Sequence, residues 1–110
     1  MKLFTQAILK KLPTVDETAE TGISGLTVHL KLFNPCGAGT WYIYAYNPDE
    51  KLAMGFVNLN DPEMAELGYI SITELEEYRG PLGLGIERDI HFDSMPLQEI
   101  MDKVKSGGHV

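Results

Sequence analysis

Three histidines and one cysteine are the side chains here that most readily do acid–base, nucleophilic or metal chemistry. His91 has the most suggestive neighbours. Asp89, His91 and Asp93 alternate, so a regular strand would turn all three to one face. Two carboxylates and an imidazole can hold a divalent metal or form an acid–base pair. Three ligands on one strand splay apart, however, and no second cluster completes a site, so a solvated face is the first reading. His29 falls on the more polar side of an extended segment, where a solvated or cross-strand-packed ring is expected. His109 lies in a glycine-rich tail and is assigned no role. Cys36 sits in a Pro-Cys-Gly turn with no neighbouring His or Lys to activate it as a nucleophile, and reads as a surface thiol. Leu82-Gly83-Leu84-Gly85 has no following Lys-Ser/Thr and comes after a helix, which argues against a phosphate loop. Trp41, Tyr42, Tyr44 and Tyr46 lack the interleaved cations of a base-stacking platform and read as packing residues. These residues assign no catalytic group, metal or cofactor.

Charge is the other chemical feature. Between Asp61 and Tyr78 stand Asp61, Glu63, Glu66, Glu74, Glu76 and Glu77, with no Lys or Arg among them. Either this is a solvated surface with a well-capped helix, or it is a patch for a basic protein surface, including one that normally binds nucleic acid. The whole chain carries 9 Lys and Arg against 16 Asp and Glu, a formal net charge of −7, which opposes direct binding to nucleic-acid phosphates. One cysteine forms no internal disulfide and suits a reducing cytoplasm. No apolar run approaches the roughly 18–20 residues of a membrane span, and Met1 to Thr5 lacks a signal-peptide layout. The 110 residues are read as one domain.

The elements that must position these residues follow from periodicity and punctuation. Thr5 caps a short helix in which Phe4, Ile8 and Leu12 share a side, and Pro13 stops it. Residues 14–25, poor in apolar side chains, are expected to form an exposed, mobile loop. Leu26, Val28, Leu30 and Leu32 alternate as one buried strand face. Thr40 to Tyr46 is apolar on both faces and is expected as the central strand. Leu52 to Leu59 makes a third strand, with Gly55 a bulge or point of close approach, and Gly68 to Ile72 a short fourth. The short connections favour antiparallel pairing. Thr73 and Glu76 form a capping box at the start of a second helix, so Thr73→Ala is expected to cost about 1 kcal/mol. Arg79 lies at the far end of that helix, and Gly80, in a left-handed conformation, ends it with Pro81. An extended run follows through Phe92. Leu97, Ile100, Met101 and Val104 stripe a last helix starting near Ser94 or Pro96, and residues 105–110 are read as a frayed tail.

The runs Glu66-Leu67-Gly68-Tyr69 and Arg79-Gly80-Pro81-Leu82-Gly83-Leu84, continuing through Ile86 to Phe92, carry a specific pattern. With Met1-Lys2-Leu3, Leu12-Pro13, Thr40-Trp41-Tyr42 and Pro96-Leu97, the chain resembles the bacterial family known as domain of unknown function 2958 over nearly its whole length. Gly85 stands where that pattern has Pro, which loosens the turn before Ile86. The resemblance implies an accessory protein of plasmids, phages or integrative elements, of the kind encoded near conjugation or anti-restriction genes, and carries no catalytic residue with it.

The expected fold is α+β: an antiparallel sheet of four or five strands with two or three short helices in a single layer. The first functional expectation is a non-enzymatic interaction protein, with Glu74, Glu77, Tyr78, Arg79 and Arg88 as partner contacts. The alternative is a small metal-dependent hydrolase centred on Asp89, His91 and Asp93. No cofactor and no oligomeric state are implied.

Overall fold

The computed structural model describes residues 3–108 and 110. Its centre is a five-stranded antiparallel sheet in the order β5-β4-β3-β2-β6, formed by β2 (Leu30–Phe33), β3 (Thr40–Asn47), β4 (Leu52–Asn58), β5 (Glu66–Ser71) and β6 (Glu87–Arg88). The Trp-Tyr-Ile-Tyr-Ala-Tyr strand lies in the middle, as its two apolar faces require. A separate small sheet joins β1 (Thr27–Val28) to β7 (Met95–Pro96). The helices are α1 (Gln6–Lys11), α2 (Val15–Thr18), α3 (Ile72–Glu77) and α4 (Leu97–Lys105). The α+β class and the antiparallel sheet are as expected.

The single helical layer is not. Apolar side chains leave both sheet faces and make two cores. On one face Tyr42, Tyr44 and Phe56 pack with Leu97, Ile100 and Val104 of α4. On the other, Ile43, Tyr46, Ala53 and Ile70 pack with Leu3 and Ile72, and with Ile8 and Leu9 of α1 and Leu75 of α3. A sheet apolar on both sides must be covered on both sides, so the helices divide between them. The alternating Leu26, Val28, Leu30 and Leu32 divide likewise. The strand breaks at His29, and the first two join the α4 core while the last two join the other.

At Gly55 the strands β3 and β4 leave no room for a side chain. A Cβ there would lie 2.2 Å from the Tyr42 carbonyl oxygen and 2.9 Å from its carbon. Beside it the β3–β4 ladder jumps from Ile43↔Gly55 to Ala45↔Met54, so Tyr44 is bulged and both Tyr44 and Ala45 serve the α4 core.

Three local expectations are corrected. Residues 14–25 contain α2 and a 3₁₀ turn at Ile23–Gly25. Thr14 and Glu17 form a reciprocal capping box, and Val15 donates its backbone N–H to Asn47 Oδ1 at 2.9 Å, which ties the segment to the end of β3. At the other end of the chain, the expected fraying gives way to a hydrogen-bonded stop. Gly107, at φ 87°, donates to the Val104 carbonyl at 3.0 Å and Gly108 to the Lys103 carbonyl at 2.8 Å, a Schellman closure of α4. His109 lies outside the described residues. Gly80 is not left-handed; after α3 that conformation belongs to Gly83, at φ 74°.

Candidate functional site

The Asp89, His91, Asp93 triplet does not form. Pairing of β6 with β2 ends at Arg88, after which the Asp89 N–H still reaches the Lys31 carbonyl at 3.0 Å and the chain turns. Asp89 Oδ1 accepts the His91 N–H at 2.9 Å, and the Phe92 N–H bonds to the Asp89 carbonyl at 3.2 Å. The alternation that would align three side chains needs a strand, and this is an Asx turn. The Asp89 carboxylate instead meets Lys31 Nζ at 3.5 Å. No group of three or more metal-binding side chains occurs among the described residues.

His29 is drawn toward Ser94: its Nδ1 lies 2.8 Å from Ser94 Oγ. Burial, with Lys11 nearby, holds its pKa below the usual imidazole value. Both residues line a cleft of about 250 Å³ that also receives Lys11, Lys31, Arg88 and Asp89. Two of its cations are already engaged, Lys31 by Asp89 and by the Val110 carbonyl, and Arg88 by the Leu3 carbonyl at 3.2 Å. Arg88, expected on a partner surface, therefore braces the N-terminal segment.

The remaining contact candidates gather around α3, and α3 is placed by its cap. Its N-cap is Ser71, whose hydroxyl accepts the Glu74 N–H at 3.3 Å, two residues before the expected Thr73. Ile72 must be buried and Lys51 accepts its N–H at 3.0 Å, so the helix has to start as soon as β5 ends. We expect Ser71→Ala to lose about 1 kcal/mol of stability in urea titration and Thr73→Ala to stay within about 0.5 kcal/mol. Equal losses would place the cap at Thr73.

From the β3–β4 turn α3 runs toward the turn at residues 34–39 at the opposite end of β3. There Tyr78 follows it, with its hydroxyl oxygen 3.3 Å from Asn34 Nδ2. Arg79 folds back on the helix end, donating from Nη1 to the carbonyls of Glu76 at 2.9 Å and Tyr78 at 2.6 Å, as the negative end of a helix favours. Between the 34–39 turn, the start of β3 and α3 lies a groove of about 470 Å³, walled by Trp41, Leu75, Tyr78 and Ile86 and edged by Glu74. Trp41 is half-buried, and its ring lies over Gly39, where a Cβ would come within 2.4 Å of it. Asn34 sets this turn, accepting the Cys36 N–H at 3.1 Å through its side chain and donating its own N–H to the Gly39 carbonyl at 3.0 Å.

The six acids do not make one surface. Asp61 and Glu66 line a second groove of about 270 Å³ beside the edge strand β5, with exposed Leu59, Met64 and Tyr69. Glu63 lies in the loop whose Ala65 carbonyl is held by Lys105. Glu76 pairs with Lys51 at 3.8 Å, while Glu74 and Glu77 are exposed.

Fold and site together describe a small acidic α+β protein with an aromatic, carboxylate-edged groove. The chain belongs to the family described as "Protein of unknown function (DUF2958)", whose model matches residues 3–110. No curated protein and no solved structure matches it. No helix among the described residues is long and apolar enough to cross a membrane.

Proposed function

We propose that this is a non-enzymatic accessory protein of a mobile genetic element that works in the cytoplasm by engaging a basic protein surface. One observation carries the reading. The exposed carboxylates Glu74 and Glu77 stand on one short helix that ends in the exposed Tyr78 and borders the aromatic groove. Interfaces are anchored by aromatic residues in partly dry pockets, and complementary charge around them speeds encounter. A net charge of −7 gives the whole molecule the same preference for cationic partners. The mobile-element setting rests on the family resemblance.

The test is the association rate with a partner recovered from lysate of the source cell, at low and high ionic strength. The wild type is compared with the double variant Glu74→Gln, Glu77→Gln. Glutamine keeps helix propensity while removing charge. We expect the rate to fall several-fold with salt for the wild type, and to be lower and flatter for the variant. Identical, salt-independent rates would make these acids a solvated face.

A further inference from the structure

We propose that the Trp41–Tyr78 groove is a receptor for a single arginine side chain of the partner, whose guanidinium lies against the two aromatic rings and pairs with the Glu74 carboxylate. This rests on the reading of a basic partner and specifies how one of its residues is read.

The groove has what such a ligand needs. Trp41 and Tyr78 line it with aromatic surface, and Leu75 and Ile86 with apolar surface for an alkyl stem. Glu74 supplies one negative charge at the edge, and no Lys or Arg is among the lining residues. Arg79, the neighbouring cation in the chain, is engaged in capping α3 and is not among the lining residues. Tyr78 is held at its hydroxyl by Asn34. Cations are attracted to aromatic faces, most strongly to Trp. A planar, weakly hydrated guanidinium both stacks on such faces and pairs with a carboxylate, whereas an ammonium is a compact, strongly hydrated charge. An aromatic groove with a carboxylate at its edge is therefore complementary to arginine before lysine, and complementary to no anion.

Trp41 is the only tryptophan in the chain, so its fluorescence reports occupancy of the groove directly. The probe is the peptide acetyl-Gly-Arg-Gly-amide, titrated against its lysine counterpart and against the uncharged citrulline counterpart. We expect saturable change with arginine, at least fivefold weaker binding of lysine, and no saturation with citrulline. Glu74→Gln and Tyr78→Leu should each weaken arginine binding at least fivefold with unchanged circular dichroism. Because Trp41 is itself the reporter, Trp41→Leu is followed by calorimetry, with the same loss expected. Citrulline or lysine binding as well as arginine overturns the proposal, as does an arginine response indifferent to Glu74→Gln. The two readings fail separately. If the peptide is ignored but partner association still responds to salt and to the Glu74, Glu77 pair, the groove assignment falls and the acidic surface stands. If the peptide binds and partner association ignores both, the reverse holds.

Discussion

Gly55→Ala is expected to cost about 3 kcal/mol or more, because the added methyl has nowhere to go. The atoms it would meet, the Tyr42 carbonyl oxygen at 2.2 Å and carbon at 2.9 Å and the Ile43 Cα at 3.1 Å, are all backbone of the central strand. A flexible side chain could swing aside; β3 can yield only by leaving its hydrogen-bonded position on β4. That would loosen the sheet at its middle, beside the bulge, where both cores meet. The control is Gly68→Ala. Gly68 is the register partner of Gly55 on the edge strand, and a Cβ there meets nothing within 4 Å. It should change stability by less than about 0.5 kcal/mol. Urea titration of both variants checks the pair, and an unchanged midpoint for Gly55→Ala would mean that β3 and β4 do not approach so closely.

Phe56→Ala should be as damaging by the opposite route. Its side chain is wholly buried, 0% exposed, in the core under α4, with the Tyr42 ring centroid at 6.3 Å and Lys105 Nζ 5.9 Å from its own centroid. Truncating a buried Phe to Ala typically costs about 3–5 kcal/mol, part lost transfer energy and part cavity. A domain of this size has about 5–15 kcal/mol in all, so the variant would be marginal. The damage should centre on α4, which packs there through Leu97, Ile100 and Val104. Amide exchange in α4 should therefore accelerate more than in α1, which packs on the other face. A loss under about 1 kcal/mol, or uniform acceleration, would contradict a separate core beneath α4.

What could be read from the sequence was local. Thr5 before Ile8 and Pro13 after Leu12 bound α1 because cap and breaker act within one turn. The central strand announced itself because a strand apolar on both sides has no solvent face to occupy. The capping box Thr14-x-x-Glu17 is equally local, but with so few apolar residues around it the segment has no periodicity to mark it as helix. Ser71 and Thr73 are both sound caps by type; only the burial of Ile72 and its bond to Lys51 choose between them, and both are tertiary facts. The alternation of Asp89, His91 and Asp93 does not survive folding for a related reason. Alternation counts only while a strand lasts, and β6 ends at Arg88 although β2 runs on to Leu30, because the turn closed by Asp89 takes the chain off the sheet. Glu74 and Tyr78 could be singled out by charge and aromaticity, but not their meeting with Trp41. That meeting depends on α3 doubling back toward the far end of β3, a matter of topology that no local spacing encodes.

The bulge at Tyr44 changes what parity means in this protein. Trp41 and Ile43 are odd-numbered and Tyr46 is even, yet all three belong to the same core, and Phe4 meets Tyr46 there with ring centroids 4.3 Å apart. Tyr44 is a beat that the ladder skips: before and after it, β3 and β4 pair one for one. A residue of β3 thus inherits its wall from the residue opposite it on β4, so β4 keeps time for the sheet. An insertion or deletion in β4 would reassign aromatic rings across the hairpin on β3, including the one on which the N-terminal segment rests.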